Sequence, residues 1–252
     1  MIQVVRKAFA VLECFRTADG SLSYKEICAR LDLPRTTVHR LLTDLAEQGY
    51  VTQDPETGEY ALGIKLFEIG MRAVAQRGLV QTARPIMEEL GRVSGETVNL
   101  GVLSVDYQVV YIDKYDSRNA LKMDRPIGAR EDAYSTALGK VLLAHLPPSD
   151  LEAYLSRVHL VQHGPNTITS VERLRECLGA VEAEGIAFDD RESHPGLACI
   201  AAPIRGNRGK VLAALSISGP ASRFSGECFA EWSEPLREGC MRISTSLGYT
   251  GA

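Results

Sequence analysis

The sequence predicts an α+β protein: a winged helix-turn-helix domain at the N-terminus, and beyond it an antiparallel sheet with helices packed on it. Three observations carry this. Residues 33–62 read as a helix running straight into a β-hairpin. Ser23 with Glu26 just before them is a capping-box pattern, which starts a helix of its own. From Glu96 onward the apolar period shifts from helical to alternating, the mark of strands with one buried face.

The first helix is expected over residues 4–17, with Val5, Phe9, Leu12 and Phe15 at core spacing and Ala18-Asp19-Gly20 ending it. The capping box at Ser23 opens a second helix, which carries Ile27 and Leu31 inward. A short turn around Asp32-Leu33-Pro34 leads to the third. Pro34 falls where the first helical turn begins, a position that does not need its missing N–H. Val38, Leu41, Leu42 and Leu45 give this helix one apolar face, and Gly49 ends it. Alternating runs at 50–53 and 59–62 flank Asp54-Pro55-Glu56-Thr57-Gly58, a turn in which Gly58 supplies a positive φ. Two helices joined by a short turn and followed by such a hairpin make a winged helix, whose second helix lies in a DNA major groove. An ordinary helical hairpin packed in a core is the alternative.

The side chains opposite the apolar face favour DNA. Arg35, Thr36, Thr37, His39 and Arg40 can donate to phosphates or base edges. Arg6 and Lys7 near the start of the first helix either touch backbone phosphates or form a solvated face. Bulk charge gives little help. The net charge is -4, and residues 1–62 hold 7 Lys and Arg against 9 Asp and Glu. Non-specific affinity is therefore modest, and binding rests on a local positive face around Arg35 and Arg40.

Residues 63–77 are apolar on several sides: Ile64, Phe67, Met71 and Val74 form one stripe, Leu66 and Ile69 another. Such a helix needs partners on more than one flank, either within its own domain or on a second subunit. Gly78 marks a break, so residues 1–62 form the first domain, 63–78 a linker helix, and 79–252 the second domain. There a helix runs through Ile86, Met87, Leu90 and Val93, with Pro85 near its start or at a kink. Strands follow at Thr97–Leu103 and Gln108–Tyr115 about a turn at Asp106-Tyr107. A helix over 134–145 opens at Ser135-Thr136. Ser149 with Glu152, and Thr169 with Glu172, repeat the capping-box pattern, and the helix through Leu174, Leu178 and Val181 stops at Gly185. Strands at 197–204 and 210–218 flank the turn Gly206-Asn207-Arg208-Gly209, and a last helix covers 229–247.

Composition excludes other classes. No apolar run reaches the roughly 18 residues of a membrane span, and the first residues lack the apolar core of a signal peptide. The six cysteines, at 14, 28, 177, 199, 228 and 240, show no CxxC pair and no zinc-ligand spacing. A cytoplasmic protein with reduced thiols, no metal and no cofactor is expected.

The chain resembles the IclR family of bacterial transcriptional regulators along nearly its whole length. The resemblance rests on VVRKAFAVLECF, LDLPRTTVHRLLTDLAEQGYV, YALGIKLFEIG, AYSTALGKVLLA and GIAFDDRESHPGLACIAAPI with GKVLAALSISGP, in that order. It implies a winged helix-turn-helix domain, a linker helix and a GAF-like effector-binding domain. It further implies a homodimer or dimer of dimers on double-stranded operator DNA, more often repressing than activating. The ligand site it implies here is made by the backbone N–H groups of Ala137 and Leu138 with the side chains of Asp189, Cys199, Ser216 and Ser218. A helix N-terminus suits a carboxylate, and the aspartate and hydroxyls suit the polar groups at a metabolite's other end. Where relatives carry leucine and proline, this chain has Glu131-Asp132. Those charges either oppose a plain anion at the pocket mouth or are solvated on a loop. An enzyme in this domain would use Cys199 as nucleophile with His194 or His163 as base. A purely structural or interaction module would leave the wing and the Arg-Thr-Thr helix unexplained.

Overall fold

The computed structural model describes residues 3–16, 18, 20–75, 78–224 and 226–251, without the side chains of 71–75 and 226–228. The chain divides into two compact units, residues 1–76 and 77–252.

The first unit holds helices α1 (Gln3–Glu13), α2 (Tyr24–Arg30) and α3 (Arg35–Glu47), strands β1 (Val51–Gln53) and β2 (Tyr60–Leu62), and helix α4 (Ile64–Ala75). The capping box is present in full: the Ser23 hydroxyl accepts from the Glu26 N–H, and Glu26 accepts from the Ser23 N–H. Pro34 is the N-cap of α3 rather than its first residue. In the wing, Asp54 Oδ1 accepts from the N–H groups of Glu56 (2.8 Å) and Thr57 (2.9 Å), and Gly58 takes φ 73°. Leu22 adds a bridge to Tyr60, so three chain segments share the small sheet.

The α1 stripe differs from the expected one. Val5 and Phe9 are exposed, Phe9 by 62%, and Ala8, Val11 and Cys14 enter the core in their place beside Leu12 and Phe15, which pack there as expected. Both stripes have helical spacing, and only the direction of the neighbouring helices decides between them. The helix also stops at Glu13, before the expected end at Thr17, which with Asp19 lies outside the described residues.

The second unit is built on a six-stranded antiparallel sheet in the order β5-β4-β3-β8-β7-β6, among the described residues. Its strands are β3 (Thr97–Leu103), β4 (Gln108–Tyr115), β5 (Arg130–Asp132), β6 (Ala187–Asp190), β7 (Leu197–Arg205) and β8 (Val211–Pro220). The helices are α5 (Leu79–Ser94), α6 (Ala137–Ala144), α7 (Pro148–Leu155), α8 (Val171–Glu184) and α9 (Gly226–Ser246). One face of the sheet presents Val98, Leu100, Ile200, Leu215 and Ile217 to α5 and α9, where Met87, Leu90, Trp232 and Leu236 meet them. On the other face Ala201 and Ala214 join a cluster with α6 and α8, through Leu138, Val141, Leu174 and Leu178.

Four expectations are corrected here. Ser149 is no cap: α7 starts on Pro147-Pro148, whose fixed φ begins the helix earlier. The cap of α8 is Ser170, not Thr169, and its hydroxyl accepts from the Arg173 N–H. Val93 points to solvent from the end of α5. The short strands β5 and β6 were not expected, being too brief to show alternation. No helix among the described residues is long and apolar enough to cross a membrane.

Candidate DNA-reading helix and buried effector site

The N-terminus of α3 is held by its neighbours while its outer face stays free. The Tyr24 hydroxyl donates to the Arg35 carbonyl (2.7 Å), and the Tyr24 ring meets the His39 ring edge to face. Arg35, Thr36, His39 and Arg40 are exposed and Thr37 is half-buried. Among the described residues neither Arg35 nor Arg40 is ion-paired, so both guanidinium groups are available to phosphate or base oxygens. Arg6 lines a groove with Lys7, Leu31, Asp32 and Leu33, beside the turn that precedes α3.

The effector-site residues expected in the second unit converge on one sheet face. Thr97, Ser218, Cys199 and Asp189 are successive cross-strand partners on β3, β8, β7 and β6. Asn99, Ser216, Ala201 and Ala187 form the next row on the same face. Every one of these residues is buried. Helix α6 covers them. Its cap Thr136 accepts from the Gly139 N–H (3.0 Å), leaving Ala137 and Leu138 as the first turn's N–H groups without an intrahelical acceptor. Gly139 is required there: a Cβ would fall 2.2 Å from the Ala133 carbonyl oxygen.

Asp189 is fully buried and already engaged. Its Oδ1 accepts from the Glu192 N–H (2.7 Å), and its Oδ2 from the Ser193 hydroxyl (2.6 Å). Burial raises its pKa against those hydrogen bonds. Beside it, Lys140 of α6 forms a buried ion pair with Glu192, whose carboxyl burial pushes up to about 7 despite the lysine. Burial, and then Asp189, push the Cys199 thiol well above its ordinary value, the reverse of an activated nucleophile. His163 sits against Tyr134 and Asp132.

Glu131 and Asp132 are not solvated on a loop. They lie in β5, paired with β4, because β5 gives their backbone a ladder and their side chains partners. The Tyr111 hydroxyl donates to Glu131 (2.6 Å), Arg125 pairs with Glu131 (2.6 Å), and Asp132 meets His163 (3.0 Å). Glu131, Asp132, Arg125 and His163, together with Gln108, Arg130, Ser135 and Ser193, line an open pocket of about 280 Å³. Each acid next to a cation or donor leaves little net negative charge at this mouth.

Sequence reading missed Thr97, Asn99, Lys140, Glu192 and Met123, whose carbonyl accepts from the Thr97 hydroxyl (3.1 Å). Thr97 and Asn99 carried a signal, two polar residues on one face of an otherwise apolar strand. Lys140 carried none, since a lysine in a helix normally faces water.

A winged helix with an unpaired basic face, joined to a domain that buries polar groups beneath a helix N-terminus, defines a DNA-binding regulator that responds to a small molecule. The profile described as "IclR helix-turn-helix domain" matches residues 4–55, and that described as "Bacterial transcriptional regulator IclR C-terminal" matches residues 71–245. The chain belongs to the IclR family of bacterial transcriptional regulators. It is 38% identical to the HTH-type transcriptional regulator KdgR of Escherichia coli strain K12, over 98% of this chain and 94% of that one. Identity to the transcriptional repressor IclR of the same organism is 32%, over 98% and 90%. An IclR homolog from Microbacterium hydrocarbonoxydans complexed with 4-hydroxybenzoate superposes with a TM-score of 0.85 at 28% identity, covering 97% and 98% of the two chains.

Proposed function

We propose that this regulator is a repressor whose operator affinity is set by a small carboxylate held on the buried polar rows beneath α6. The observation that carries this is the convergence of Ser216, Ser218, Cys199 and Asp189 on one face under the free N–H groups of Ala137 and Leu138. The carboxylate sits on those N–H groups, favoured by the positive end of α6. Ser216 and Ser218 hold its polar remainder, and Asp189 shapes the turn that closes the site. The relative named as a repressor and the homolog bound to an aromatic carboxylate support this reading.

On the DNA side, Arg35, Thr36, Thr37, His39 and Arg40 enter the major groove, and Arg6 reaches backbone phosphate. Two copies read a palindrome whose half-sites lie about one helical turn or a multiple apart. Helix α4 joins them: Ile64 is 70% and Phe67 62% exposed in the single chain, apolar surface that a second copy covers. The other residues of that stripe, Met71 and Val74, lie outside the described side chains. The protein so described acts in the cytoplasm, catalyses no reaction, and is organised as a winged domain over 1–62, a linker helix over 63–78 and an effector domain over 79–252.

The test is a gel-shift titration on the protein's own promoter DNA. Arg40→Ala is expected to weaken binding while leaving the melting temperature close to wild type. Unchanged affinity in both Arg35→Ala and Arg40→Ala would remove α3 as the reading helix.

A further inference from the structure

Asn99 has no exposed surface, and only half of its amide is used. Its Nδ2 donates to Ser218 Oγ (3.3 Å) and lies 3.9 Å from the Met123 sulfur. Its Oδ1 is buried without a partner among the described residues. The thioether can accept but not donate, which favours the amide with its nitrogen on that side and its oxygen free. A buried carbonyl without a donor is costly and uncommon in a folded protein. Asn99 shares its row with Ser216, Ala201 and Ala187, all small. The side chains of this row bring no donor to Asn99 Oδ1, so its partner must come from something lying on this face.

We propose that Asn99 Oδ1 accepts a hydrogen bond from a hydroxyl of the effector, so that the effector is a hydroxy acid and Asn99 is the residue that selects it. This rests on the carboxylate reading above and adds the second functional group. With the carboxylate at the N–H groups of Ala137 and Leu138, the hydroxyl lies over β3 and β8, where Ser218 accepts from Asn99 Nδ2 and still has its own proton to donate. An acid without the hydroxyl would bury Asn99 Oδ1 under apolar atoms and leave it unpaired. A site built to bond a hydroxyl rejects the analogue lacking it far more strongly than an apolar pocket rejects a missing methylene.

The experiment is calorimetric titration of the full-length protein with matched pairs: glycolate and acetate, D-glycerate and propionate, D-gluconate and hexanoate. In wild type, at least one hydroxy acid is expected to bind roughly tenfold or more tighter than its partner. Asn99→Leu, close in shape, is expected to bind both members of that pair alike. Equal affinity within every pair that binds wild type overturns the inference and leaves the carboxylate reading standing. A preference retained in Asn99→Leu also overturns it. If no acid binds wild type, the carboxylate reading falls and this inference with it. Should Asn99→Leu not fold, Asn99→Ala and the wild-type pairs decide the matter.

Discussion

The two faces of the six-stranded sheet come from alternate residues of the same strands, and both are buried, yet they are made of opposite chemistry. Val98, Leu100, Ile200, Leu215 and Ile217 face α5 and α9 without a polar atom among their side chains. Thr97, Asn99, Cys199, Ser216, Ser218 and Asp189 face α6. Burying apolar surface stabilises a fold by about 25 cal/mol per Å², while burying a polar group opposes folding unless it is hydrogen-bonded. The first face is apolar throughout, whereas the second sets its polar rows inside an apolar cluster with α6 and α8, so both faces contribute to the domain's stability. Most polar groups of the second face are hydrogen-bonded within the fold, and one of them, Asn99, is left with an unmet acceptor.

The largest effect should come from breaking the ion pair on the polar side. Lys140→Leu removes the cation that holds the Glu192 pKa down and leaves that carboxyl buried and alone, protonated at neutral pH, and is expected to destabilise the domain by up to about 3–5 kcal/mol. Adding Glu192→Leu should recover most of that loss in urea unfolding. A single variant within about 1 kcal/mol of wild type would show that the pair is solvated in solution. On the apolar face, Leu215→Ala is expected to cost about 2–5 kcal/mol through the cavity it leaves, with effector affinity unchanged once the protein is folded. Ser216→Ala should cost only about 1 kcal/mol while weakening the effector response. That contrast between faces disappears if both substitutions act on stability and ligand alike.

The same polar side should also set a pH dependence. Glu192 has a folded pKa of about 7 against an ordinary 4.5, so the folded state favours its protonated form. Its contribution to stability is then full below about 4.5 and lost as the pH rises to about 7. Asp189, also raised, adds in the same sense. Glu192→Gln should flatten the pH profile of the melting temperature across that window; an unaltered slope would assign the dependence elsewhere.

Much of this was legible in the sequence because it is local. The Ser23 and Glu26 cap, the α3 face and the bounds of β3 and β4 depend on neighbours a few residues away. Direction toward a distant partner is not local. Val5 and Phe9 have the same helical spacing as Ala8 and Val11, and nothing in α1 itself says which stripe meets α3. The strand β5 turns Glu131 and Asp132 from loop charges into paired side chains only because Arg125, Tyr111 and His163 arrive from elsewhere. Of the residues implied by family resemblance, the side chains of Asp189, Cys199, Ser216 and Ser218 share one sheet face, and Ala137 and Leu138 begin the helix that covers it. Asn99 and Lys140 could be recognised only once their surroundings were in place.

The most direct measurement is fluorescence anisotropy on promoter DNA, with wild type and a Ser216→Ala/Ser218→Ala double variant, each titrated with whichever carboxylate most raises the wild-type melting temperature. Both proteins should bind DNA equally in its absence. The wild type alone should then change affinity, by several-fold to about a hundredfold, the range of a coupling of about 1–3 kcal/mol. A double variant that responds as the wild type does would place the effector away from the polar face of the sheet.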